Sequence, residues 1–275
     1  MSNLIRYGGT YLIENMLEGR VSASSIHEFN DPFELHHRPG RLPTPEEEIE
    51  RVREVAAQNW SELEQLIAAD GGNIDILRKK LAGNPKDFMG ITQIIIESQR
   101  DRSPRIFDIH TKVICCTADL PPHSGEIPMW GYYAQCHCGI RVHYRVNFYQ
   151  RPGIVTFPIV YKDKPVEFGF SESTPSKINE FVKKMLKTKS TGWNHESEVR
   201  LLLPISLLRK SPDASGIERW WLPINEIDIA RIDLGIKYNN NNKLLSEFRA
   251  KFPSVDIFKT RKHPDAFLCQ YEKLT

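Results

Sequence analysis

The chain is 275 residues long and carries a formal net charge of +2. That balance brings no bias toward nucleic acid or anionic membranes. No apolar run is long enough to span a bilayer, and residues 1–10 lack the basic-then-apolar layout of a signal peptide, so a cytoplasmic protein without a membrane partner is expected. The five cysteines are odd in number, with Cys115 and Cys116 adjacent and Cys136 and Cys138 flanking His137. That is not a disulfide framework, and a reducing compartment is the simpler reading.

In chain order, residues 4–7 read as an opening strand. Residues 11–17 have helical spacing and stop at Gly19, and residues 20–24 read as a second strand. Asn30-Asp31-Pro32 starts a turn, because Asn and Asp bond their own backbone and Pro fixes φ. Thr44, Pro45 and Glu47 form a helix start with a capping box. Helical patterns then run to about residue 100, so 45–100 is expected to be a helical insertion. Residues 112–117 are β-branched and apolar. Residues 140–148 alternate apolar with Arg141, His143, Arg145 and Asn147, the pattern of a half-buried strand. Residues 153–161 read as another strand, and 174–186 as a helix with Ile178, Phe181, Val182, Met185 and Leu186 on one face. Strands are expected at 198–203, 227–234, 255–259 and 266–271, and a helix at 242–252. This order predicts an α+β fold: one domain over 1–275, with a mainly antiparallel mixed sheet as its core and the helical insertion to one side.

Four segments carry candidate chemistry. In the first, Trp193 precedes Glu196, Glu198 and Arg200. On a strand these last three point one way, while Val199, Leu201 and Leu203 point toward a core. Paired carboxylates beside an Arg suit hydroxyls or developing positive charge; a solvated strand face with an ion pair is the plainer alternative. The second runs from Met129 to Gly139, where Trp130 and Tyr133 are either ring-stacking platforms or core anchors. Within it, Cys136, His137 and Cys138 are consecutive, a spacing that fits tetrahedral zinc poorly, so no metal is assigned there. The third is Asn30, Asp31 and Glu34 in the turn, which reach a site if the turn borders one. The fourth is Arg6-Tyr7 at the end of the opening strand, where an Arg can clamp a phosphate.

These segments, in this order, resemble the bacterial family labelled domain of unknown function 2971. Its pattern runs through Asn-Asp-Pro-Phe-Glu, Met-Trp-x-x-Tyr-Ala-x-x-His-x-Gly, Lys-x-x-x-Trp-x-x-Glu-x-Glu-x-Arg and an Ile-x-Leu-Gly strand. Here those positions are Phe29 to Glu34, Met129 to Gly139, Lys189 to Arg200, and Ile232 to Gly235. Glu196-Ser197-Glu198-Val199 is also similar to the Glu-x-Glu strand of ADP-ribosyltransferases, although a clear Ser-Thr-Ser strand is missing. That second resemblance implies NAD as substrate: Glu198 on the ribose hydroxyls, Glu196 toward the acceptor, Arg6 on the pyrophosphate and Tyr133 against nicotinamide. Tyr7, Trp130 and His137 join the expected cofactor-binding set. The implied function is ADP-ribosyl transfer to an unknown acceptor macromolecule, or NAD glycohydrolysis, in a toxin or phage-defence setting. Two alternatives stand beside it. One is a non-catalytic ligand-sensing or partner-binding module. The other is a metal-dependent phosphodiesterase using Asp31, Glu34, Glu196 and Glu198 on Mg²⁺.

Overall fold

A computed structural model describes residues 3–31, 33–41, 43–44, 46–47, 50, 104–118, 125–169, 175–239 and 242–274. Most of the expected helical insertion over 45–100 lies outside them. The sequence suggests one domain, whereas backbone packing divides the chain into two compact units. One comprises residues 1–34, 108–164 and 187–275, and the other 35–107 and 165–186.

The first unit is built on an eight-stranded sheet. In chain order its strands are β1 (Leu4–Gly8), β4 (Thr111–Ala118), β5 (Ile140–Tyr144), β6 (Val155–Pro158), β10 (Glu198–Pro204), β13 (Ile229–Leu234), β14 (Asp256–Lys262) and β15 (Cys269–Lys273), and in space they run β15-β14-β13-β5-β1-β4-β10-β6. Every pairing is antiparallel except β13 with β14. The expected mainly antiparallel α+β architecture is therefore observed. A smaller sheet orders β11 (Arg209–Pro212), β12 (Glu218–Pro223) and β2 (Arg20–Ala23). Strands β7 (Val160–Lys162) and β9 (Thr188–Ser190) form a parallel pair. In the second unit, β3 (His37–Pro39) pairs with β8 (Val166–Phe168), and Phe168 packs 4.4 Å from Phe181 on helix Pro175–Leu186.

The central strands of the larger sheet are buried on both faces. One face carries Leu4, Ile114, Val142, Leu201, Leu203 and Ile232 against Leu12, Ile13 and Met16 of α1 (Tyr11–Leu17), with Phe248 in the same core. The other carries Ile5 and Tyr7 under α2 (Glu126–Tyr132), which contributes Met129 and Trp130. Each such side chain contributes about 1.5–3 kcal/mol on burial.

Three expected elements are corrected. The strand expected at 140–148 ends at Tyr144, and all of its residues are buried. Residues Val146–Tyr149 form a short helix that stacks Phe148 on Tyr144 at 4.2 Å. The alternation misled because Arg141 and His143 have ionic partners in the interior and need no solvent. The strand expected at 153–161 is divided into β6 and β7. The strand expected from 227 begins at Ile229, after a turn at Glu226–Asp228 that Asn225 and Asp228 close as a capping box.

One feature of the register positions the site. Pairing between β1 and β4 covers only Leu4↔Ala118 and Ile5↔Thr117. Beyond Ile5, β1 stays paired with β5 as far as Gly8, and β4 with β10 as far as Thr111. The sheet thus parts between Arg6-Tyr7 on one side and Cys116-Cys115 on the other.

Candidate functional site

A cleft of about 360 Å³ lies at this parting. Arg6 and Tyr7 line it from β1, Cys115, Cys116 and Thr117 from β4, and Tyr132 and Tyr133 from the end of α2. The loop carrying Asn30, Asp31 and Glu34 closes another side, and Lys189, Trp193, Glu196 and Glu198 complete the wall.

Local chemistry explains each placement. The Asp31 Oδ1 accepts the Phe33 N–H at 2.9 Å, and the Glu34 N–H donates to the Asp31 carbonyl at 3.0 Å. This Asp-centred turn reverses the chain and sends Glu34 inward to ion-pair with Arg200. Glu198 is the first residue of β10, opposite Thr117. Arg200, two residues on, shares its face, and its Nε donates to Glu198 Oε1 at 2.7 Å. Glu196 is not on the strand, contrary to the expected shared face. It ends a 3₁₀ turn (Thr191–Glu196), and Ser197 follows in the left-handed region at φ 46°.

The two carboxylates nevertheless meet, because Lys189 lies between them. Its Nζ donates to Glu196 Oε2 at 2.6 Å and Glu198 Oε2 at 3.0 Å, and stands 3.9 Å from Glu34. Tyr133 Oη donates to Glu196 Oε1 at 2.5 Å. Two cations therefore face three carboxylates, and Asp31 adds a fourth acid on the same wall. The cluster is anionic and favours a ligand bearing positive charge.

Burial and pairing set the ionisation. Burial drives the Glu198 carboxyl above its ordinary value, with Lys189 opposing. For Lys189, burial acts to lower the pKa, but Glu198 and Glu196 outweigh it and hold the ammonium above its usual range. Burial, reinforced by the hydrogen bond to Glu196, keeps the Tyr133 phenol neutral well above its ordinary value. Burial also pushes the Cys115 thiol up strongly, and Glu198 beside it adds to this, so Cys115 is no thiolate nucleophile.

Arg6 differs from the other cations. It is half-buried, and its guanidinium donates to the Ser22 carbonyl at 2.8 Å and to Ser22 Oγ at 3.1 Å. Among the described residues no carboxylate ion-pairs with it. An oriented guanidinium without a counter-ion is suited to a ligand anion. At the rim, the rings of Tyr132, Trp193 and His195 lie 6.0–6.4 Å apart, with Tyr132 70 % exposed.

The structure thus brings Arg6, Tyr7, Asn30, Asp31, Glu34, Tyr133, Trp193, Glu196 and Glu198 to one cleft. Three expected site residues fall outside its lining. Trp130 is fully buried and packs edge-on against Tyr7 at 5.3 Å, so it anchors α2 and cannot stack on a ligand. His137 lies in a turn of left-handed residues running from Gln135, where its backbone bonds Trp130 and Lys237. Burial and the Lys237 charge lower its pKa. Arg200 is fully buried behind Glu198. Sequence reasoning left Lys189 out of the site, although it stands in the Lys-x-x-x-Trp motif that ends at Arg200.

A metal reading meets a specific obstacle. The Lys189 ammonium occupies the space between Glu196 and Glu198 that a divalent cation would need, and no three His, Cys, Asp or Glu residues surround a metal position among the described residues. Compared with known proteins, the chain matches no family model, no curated protein and no solved structure.

Proposed function

We propose that the cleft binds a nucleotide carrying a phosphate and a ribose, with NAD as the substrate, and that it breaks the nicotinamide–ribose bond. The observation that carries this reading is the presence of Arg6, Tyr133 and Glu198 in one cleft although they are far apart in sequence. Arg6, which has no carboxylate partner among the described residues, supplies a guanidinium held by Ser22 for the pyrophosphate. Glu198 belongs to an anionic cluster, and anionic charge fixed in a half-closed site stabilises the positive charge that grows on the ribose as nicotinamide leaves. Glu196 sits one left-handed turn away to orient the acceptor, either water or a macromolecule. On this reading the chain shares its motifs with the bacterial family labelled domain of unknown function 2971, and a cytoplasmic toxin or phage-defence setting is where NAD cleavage would act.

A second reading is favoured by one observation. Lys189 and Arg200 engage both oxygens of Glu198, with Arg200 Nη2 3.2 Å from Oε2. A carboxylate held this way can be part of the scaffold of a nucleotide-sensing module without catalysis. Incubating the protein with NAD and candidate acceptors, with calorimetry for binding and chromatography for free nicotinamide, separates the two. Binding with release supports the enzyme, and binding without release supports the module.

A further inference from the structure

Four carboxylates surround the cleft, and three of them are committed to cations. Glu34 pairs with Arg200, Glu196 with Lys189 and Tyr133, and Glu198 with Lys189 and Arg200. Asp31 is different. It is only 7 % exposed, its Oδ1 is used by the Phe33 N–H, and its Oδ2 is buried with no hydrogen-bond partner among the described residues. A buried charged oxygen left without a donor is costly, and interiors rarely leave one so. Asp31 lines the same cleft as Arg6, so a ligand held there lies beside it.

The geometry points to Asp31 as a ligand-contacting carboxylate whose Oδ2 accepts a hydrogen bond from a sugar hydroxyl of a ligand whose phosphate is held by Arg6. The cleft then selects sugar phosphates over inorganic phosphate. A bare phosphate satisfies Arg6 and leaves Asp31 unpaired. A ribose phosphate satisfies both with opposite ends of one molecule. This rests on the nucleotide reading of the cleft and goes beyond it in naming the residue that reads the sugar. It also relieves Glu198 of hydroxyl recognition, leaving its charge for the reacting carbon.

The test uses ribose 5-phosphate and inorganic phosphate as probes in competition calorimetry on the whole chain. Wild-type protein is expected to bind ribose 5-phosphate about 10–100-fold more tightly than phosphate, the worth of one hydrogen bond to a charged group. Asp31→Ala is expected to erase that preference with phosphate affinity no weaker. Asp31→Asn guards against a folding defect, since its amide oxygen can still accept the Phe33 N–H while its amide nitrogen replaces the free oxygen with a donor. A sugar hydroxyl can accept from that amide, so this variant should keep only the weaker, uncharged hydrogen bond and a reduced preference. Wild-type protein that fails to bind ribose 5-phosphate, or binds it no better than phosphate, overturns the inference, and so does a preference that survives in a folded Asp31→Ala variant or undiminished in Asp31→Asn. The outcome is separable from NAD cleavage: an Asp31-dependent sugar preference without nicotinamide release leaves this inference standing and removes only the proposed reaction.

Discussion

Two buried ionic clusters occupy the same compact unit, and they end differently. Around Arg141 the guanidinium reaches Asp233 Oδ2 at 2.7 Å, Glu126 Oε1 at 2.7 Å and Tyr7 Oη at 3.3 Å. Tyr271 Oη donates to Glu126 at 2.9 Å, His143 Nε2 lies 2.8 Å from Asp233, and Arg231 Nε donates to its other oxygen at 2.5 Å. Arg141 also stacks over the Tyr271 ring at 4.2 Å. Two guanidinium cations meet two carboxylates, and the carboxylate oxygens of both acids are used. The Lys189 cluster instead carries surplus negative charge, faces a cleft and has an unpaired Asp31 oxygen at its edge. The charge-balanced network ties β5 to β13 and α2 to the sheet, with Arg231 Nη2 buried and without a hydrogen-bond partner among the described residues. The unbalanced one borders a cleft, the setting in which perturbed ionisable groups more often serve a ligand.

The comparison breaks first on stability. Asp233→Asn removes the charge that holds Arg141, Arg231 and His143, and is expected to cost about 3–5 kcal/mol of unfolding free energy in urea, the typical penalty for one-sided disruption of a buried ion pair. If it proves neutral, the Arg141 cluster is not the structural one. Arg6→Gln is expected to do the reverse. It should weaken nucleotide binding about 10–100-fold, as befits a charge-assisted contact, with the urea midpoint unchanged.

Acid sharpens the same contrast. Burial works to raise the Asp233 pKa, but the His143 hydrogen bond and the Arg141 and Arg231 charges prevail and set it below its ordinary 3.8. A depressed carboxylate stabilises the fold above its unfolded pKa and loses that contribution as pH falls through the folded value. Acid titration of stability should therefore show a loss beginning near or below pH 3.8, absent in Asp233→Asn. Glu198 is shifted the other way, above its ordinary 4.5 by burial. If the cleft cleaves NAD as proposed, with Glu198 as the charged group, that activity should decline on acidification at a pH above 4.5, while the protein is still folded. Coincidence of the two acid limbs would erase the distinction between the clusters.

The motifs made much of the cleft legible, because polar and aromatic residues in short clustered runs announce themselves: Arg6, Asp31, Glu34, Tyr133, Trp193, Glu196 and Glu198 were all visible. Pairing was not. Lys189 was one charge among many until the fold placed it between two carboxylates, and Arg141 and His143 looked solvent-facing until Asp233 appeared beside them. Burial separated Trp130 from Tyr133, three residues apart on one short helix and one turn. In the fold, β4 was readable from its apolar, β-branched run and β10 from Val199, Leu201 and Leu203 alternating with Glu198 and Arg200. The β11–β12 hairpin was not, since Arg209 to Pro212 is polar and ends in proline, and its partner is held in part by the Trp221 indole donating to the Ser211 carbonyl at 2.9 Å.

On the proposed function the Lys189 cluster acts on a bound nucleotide, and the decisive measurement is nicotinamide release by Glu198→Gln at saturating NAD. The substitution keeps the shape and removes the charge, so turnover should fall about a hundredfold or more with NAD affinity retained, in line with the loss of a preorganised electrostatic group. Wild-type protein that releases nicotinamide at a rate Glu198→Gln matches would contradict the account.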